Sequence, residues 1–123
     1  MAYTGRNRNA FTTDTPDVEL QVGEEIKSVI LPELPGEEFI ANKGDLWRID
    51  LADFGFTDTC VTKGDVQRIT LVEGGNDGWL IDSVVTFLRT EDSFTLLSSD
   101  IDVNRWIDGN GGSELERFNL TIV

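Results

Sequence analysis

Short runs along this chain place hydrophobic residues at every second position, and clusters of turn-forming residues separate the runs. Val18, Leu20 and Val22 alternate with Glu19 and Gln21. Ile69 and Leu71 alternate with Arg68 and Thr70, and Phe118, Leu120 and Ile122 repeat the pattern near the end of the sequence. A period of two is the mark of a strand that buries one face. Trp47, Ile49 and Leu51, alternating with Arg48 and Asp50, predict another strand, and Ile26 to Leu31 predict a short one closed by Pro32 and Pro35. Trp79 opens the run WLIDSVVTF, where its size suits a core anchor, and SFTLL supplies a further strand after the turn at Arg89 to Ser93. Asp53 to Lys63 reads as a longer polar connection carrying Phe54 and Phe56, and Asp100 to Asp108 as an edge segment or a helical turn. No segment sustains helical spacing over three turns. Turn signals recur every 8–12 residues or so, as in sandwiches and barrels. Strands with one buried face need a facing sheet, so the pattern predicts an all-β fold. The expected form is a two-layer antiparallel β-sandwich of about eight strands, in one domain over residues 1–123.

Composition changes this picture mainly by exclusion. The 123 residues carry a formal charge of -13 and no histidine. That balance disfavours nucleic acid and, without a bridging cation, anionic membranes; cations, basic partners and zwitterionic lipid remain. Without histidine there is no Ser-His-Asp triad, no Cys-His pair and no histidine zinc site. The single cysteine, Cys60, makes no internal disulfide and reads as a small buried residue. No apolar run nears the roughly 18 residues of a membrane span, and the first eleven residues have no signal-like apolar stretch. The expected setting is cytoplasmic, or secreted if the sequence is a domain of a longer protein.

Two segments collect oxygen donors: Asn9 to Asp17 (NAFTTDTPD) and Glu73 to Gly78 (EGGNDG). Carboxylates, amides and backbone carbonyls on loops are what Ca²⁺ requires, although Asn and Asp also occur in turns because they cap their own backbone.

Four blocks together resemble a PLAT domain, also called the lipoxygenase homology domain. They are TGRNRNAFTTDTPDVELQV, GDLWRIDL, GDVQRITLVEGGNDGWLIDSVVTF and SFTLLSSDIDVNRWIDGNG, in that order. The last is closest in style to the clostridial phospholipase toxin domains, and polycystin-type domains are also similar. The chain departs from the family at Phe11, where glycine is usual, and at Glu73-Gly74, where an acidic-amide turn is usual. Little chain precedes the Thr4-Gly5 turn, and LERFNLTIV is available as a replacement strand. The resemblance implies an eight-stranded sandwich whose loops at one end bind calcium in several members. It carries the ligand positions to Asn9, to the backbone carbonyl of Phe11 and to Glu73; Asp14, Asn76 and Asp77 are adjacent donors.

The same resemblance implies a non-catalytic binding or targeting module. Phe11 is the expected apolar tip that touches lipid or a partner protein, with Leu34 behind it, while Trp47, Trp79 and Trp106 are expected to hold the core. Two other readings stay open. One is a structural or protein-interaction domain that self-associates without metal, through an exposed strand edge such as RFNLTIV. The other is a lectin-like carbohydrate-binding module. Paired carboxylates such as Asp50 and Asp53, or Asp100 and Asp102, could in principle do acid-base work on a sugar. With 23 acidic residues such pairs arise by chance, so no enzyme is expected.

Overall fold

The structure, a computed structural model, describes residues 1–4, 16–31, 44–56, 60–73, 79–101, 103, 105–107 and 116–123. Nine strands lie among the described residues: β1 (Ala2–Thr4), β2 (Asp17–Val22), β3 (Glu25–Ile30), β4 (Gly44–Asp45), β5 (Val66–Glu73), β6 (Trp79–Arg89), β7 (Phe94–Asp100), β8 (Arg105–Ile107) and β9 (Glu116–Asn119). They form two antiparallel sheets. The first has the order β4-β1-β6-β7, with β8 also paired to β6; the second has the order β3-β2-β5-β9. The all-β sandwich expected from the alternating pattern is the observed fold.

The eleven residues of β6 organise the first sheet. Val84 is in register with Ala2 on one edge and Asp100 on the other, and Ile81 with Thr4 and Arg105. β7 and β8 therefore run end to end along the same edge of β6, and the Val103 N–H donates to the Asp82 carbonyl between them (2.7 Å). Opposite β1 the register slips by one residue at Asp82, a bulge that moves the inward alternation from Trp79 and Ile81 to Val84.

Inward positions of both sheets supply the core. Trp79, Ile81 and Ile107 are fully buried, and Leu20, Ile69, Leu71 and Leu97 pack with them. Each such side chain contributes about 1.5–3 kcal/mol over leaving it in water. Trp47, Ile49 and Leu51 also pack against this core while Leu46, Arg48 and Asp50 face solvent. The period of two predicted there is kept, yet no strand forms. Only Gly44–Asp45 pairs, and the chain then turns into a short helix, α1 (Leu51–Phe54), closed by Gly55 at φ +83°. The supposedly polar connection sends Phe54 and Phe56 into the core, their rings 5.9 Å apart. Cys60, expected to be buried, is exposed.

The strand predicted from Phe118, Leu120 and Ile122 divides between the sheets. β9 pairs with β5, and the Leu120 N–H donates to the Ile69 carbonyl. The next residues cross to β7: Ile122 bridges Ser98, Ser99 N–H donates to Thr121, and Val123 N–H donates to Leu97. The Asp100 carboxylate fixes this crossing by accepting from the Thr121 amide (2.8 Å) and hydroxyl (2.7 Å). Continuing in the second sheet would leave the edge of β7 open, whereas the crossing pairs both sheets at one corner.

Candidate functional site at one end of the sandwich

The sheet registers bring eight strand ends together. In the second sheet Asp17 lies opposite Ile30 on one side and Val72 on the other, and Glu73 lies opposite Glu116. In the first sheet Thr4 pairs with Ile81, Gly44 with Tyr3, and Trp79 with Ile107. The five residues between Glu73 and Trp79 join the two sheets at this same end. The flanks of residues 5–15, 32–43, 74–78 and 108–115 therefore share one end of the sandwich. The other end carries the two-residue turn after Val22, with Gly23 at φ +59° as hairpin turns require, and the β6–β7 turn.

Of the expected calcium ligands and apolar contact residues, only Glu73 falls within the described part. Asn9, Phe11 and Asp14, together with Leu34, Asn76 and Asp77, lie outside the described residues, between flanks that the fold gathers at this end. Glu73 closes β5 on its inward-facing side, and only 1% of its surface is exposed. It belongs to the wall of the sandwich at the root of the 74–78 connection.

Asp17, Glu73 and Glu116 are all strand-terminal at this end of the second sheet, with Asp17, opposite Val72, on the outward face and Glu73 on the inward one. Burial first, and the neighbouring Glu19 second, hold the Asp17 carboxyl above the ordinary Asp range. Among the described residues no group of three acidic or cysteine side chains is arranged to hold a metal ion.

Close by, Arg105 of β8 holds its guanidinium 5.3 Å from the centre of the Phe118 ring on β9. That contact ties the two sheets across the gap between them.

No protein-family model and no curated protein matches the sequence. Among solved structures, the fold is similar to that of the alpha-toxin of Clostridium perfringens isolated from avian strain SWCP. The TM-score is 0.73 with 15% sequence identity, over 98% of this chain and 30% of that chain. What the two share is the fold. This chain spans less than a third of the toxin's length, and at this identity no residue role transfers with the shape.

Two aromatic features escaped the sequence reading. Phe87 and Phe94 stack with ring centres 4.5 Å apart on the outer face of the first sheet, near the β6–β7 turn and away from the gathered loops. Counting back from the turn at residues 90–93 places both on one face of a hairpin, and that signal was present in the sequence. Trp106, expected in the core, is 42% exposed. Ile107 takes the inward position, so the tryptophan one residue earlier points out beside Leu80.

Proposed function

We propose that this chain is a non-catalytic docking module of PLAT type that seats on a zwitterionic lipid surface through the end where its loop flanks converge. The observation that carries the reading is that convergence, on a fold shared with a clostridial alpha-toxin. In this reading Phe11 and Leu34 supply the apolar contact. Asn9, the Phe11 carbonyl, Asp14, Asn76 and Asp77, with Glu73 at their root, supply oxygen donors for calcium. The cation acts electrostatically, because a chain of net charge -13 approaches a membrane more easily once its acidic end is neutralised. The donor set is all oxygen, which suits Ca²⁺ and not the softer transition metals.

Co-sedimentation with phosphatidylcholine vesicles tests this, in about 1 mM Ca²⁺ and in chelator. The wild-type chain pellets with vesicles in calcium. Phe11→Ser and Leu34→Ser lower the bound fraction without changing the melting temperature, and Asp77→Asn raises the calcium needed. Absence of binding in both buffers overturns the lipid reading and leaves docking to a partner protein.

A further inference from the structure

The sandwich closes most of its described edges and leaves one long edge open. β4 is two residues long, the edge of β7 is paired by residues 121–123, and β9, the other edge of the second sheet, is only four residues long. β3 differs on every count. Its six residues pair with β2 in an unbroken register from Asp17–Ile30 to Val22–Glu25, with no bulge to twist the edge away. Among the described residues nothing pairs with its other side. Lys27 is its one basic residue, while Ile26 (49%) and Ile30 (62%) present exposed apolar surface. The helix α1 packs near β3, yet five of its six residues are exposed, and an exposed edge with an unbroken register is a template for another strand.

The hydrogen-bond phase of that edge follows from two separate contacts. Leu31 N–H donates to Pro16 (3.0 Å), so the odd residues of β3 exchange bonds with β2. Leu120 N–H donates to Ile69 (2.8 Å), which turns Thr70 toward Glu19 and Leu20 toward Lys27, the same phase. In an antiparallel ladder the alternate residues then aim their N–H and C=O groups outward. Those residues are Ile26, Ser28 and Ile30, and their side chains share one face.

We propose that β3 pairs with β3 of a second copy about a two-fold axis through Ser28, joining the second sheets of two chains into one continuous sheet. This axis sets Ser28 against Ser28 and Ile26 against Ile30 of the second copy, in both directions. Three outward-facing pairs at two bonds each give about six intermolecular hydrogen bonds. Four isoleucines leave water as two cross-strand pairs on the outer face. Moving the axis by one residue, to Lys27 or Val29, breaks both isoleucine pairs and leaves an outward residue of β3 without a β3 counterpart. An isologous contact of this kind closes at two chains and does not grow into a filament. The contact is one strand wide, and both chains are strongly acidic, so the dimer is weak and strengthens as salt screens the repulsion.

Sedimentation velocity over a concentration series, in low and in about 0.5 M NaCl, tests the proposal together with amide exchange. The wild-type chain shifts from monomer to dimer as concentration rises, more readily in salt, and the Ile26, Ser28 and Ile30 amides gain protection in step. Ser28→Pro weakens dimerisation at least about tenfold and leaves the melting temperature nearly unchanged, because the Ser28 N–H is not used by β2. The substitution Ile26→Lys acts in the same direction without altering the backbone. A wild-type chain that stays monomeric throughout, even if a foreign extended peptide protects the same amides, overturns the proposal. So does a dimer that Ser28→Pro leaves intact. Neither outcome bears on the lipid reading, which concerns the loops.

Discussion

The outer faces of the two sheets were built by the same alternation and came out differently. On the second sheet Glu19 sits between two guanidinium groups, Arg117 at 2.6 Å and Arg68 at 3.9 Å. Arg117 belongs to β9 and Glu19 to β2, so this pair reaches across β5, which lies between them. Beneath it Thr70 donates to Asn119 (2.7 Å), and both Thr70 and Val72 are buried although they point away from the core. The first sheet has no such cover over its described aromatic positions: Phe87, Phe94 and Trp106 remain open to solvent. Period-two patterning thus decides which residues face inward. What an outward face does depends on whether its neighbours can reach over it.

Two tryptophans on neighbouring strands give the largest test of that contrast. Trp79 is fully buried against Ile107, whereas Trp106 lies on the opposite face. Trp79→Ala costs about 3–5 kcal/mol in urea unfolding, because it removes a large transfer term and leaves a cavity. Trp106→Ala costs less than about 1 kcal/mol. Equal losses would mean that the outer face of the first sheet is covered in solution.

The inward face was legible because burial enforces it, and even Trp47 to Leu51 keeps its alternation without a strand. The pattern did not reveal which runs would find a ladder partner, since pairing depends on residues distant in sequence. Trp106 illustrates the same limit. Within DVNRWID either Trp106 or Ile107 could face inward, and the pairing of Ile107 with Trp79 settles the choice. The bulge at Asp82 inverts the alternation inside one run, which no fixed period anticipates. At the candidate site, composition pointed to two donor-rich segments, while their shared end of the sandwich comes from the register of Asp17 with Val72. The burial of Glu73 was not legible, because EGGNDG reads as a solvated turn and its first residue completes a strand.

A smaller effect sharpens the comparison from the second sheet. In a double-mutant cycle of Glu19→Gln and Arg117→Gln, the coupling is about 0.5–1 kcal/mol, limited because Arg117 is half exposed. It shrinks in about 0.5 M salt. Strictly additive losses would show that the two side chains do not hold each other over β5 in solution.

The smallest effect lies at the edge of that network, where Asp17 meets the gathered loops. Its carboxyl is held above the ordinary Asp range, first by burial and then by Glu19, so ionising it is harder in the folded chain than in the unfolded one. The ionised form therefore opposes folding at neutral pH. That opposition fades as pH falls through the raised folded value toward the ordinary Asp range, below which both states are protonated. Asp65, at the far end of the same ladder, has the opposite sign. Thr62 donates to it from both amide and hydroxyl and lowers its pKa, so its contribution is present above the ordinary Asp range and is lost as pH falls through its folded value. Asp17→Asn is accordingly expected to raise the melting temperature slightly at about pH 7, by an amount equivalent to a few tenths of a kcal/mol or so after solvent screening, and to make no difference at about pH 3. Thermal melts of the two chains across that range, without calcium, read the sign directly. Should Asp17→Asn lower stability at neutral pH, the charge on Asp17 would be favourable in the folded state, and a cation resident at the acidic end would be the simplest cause.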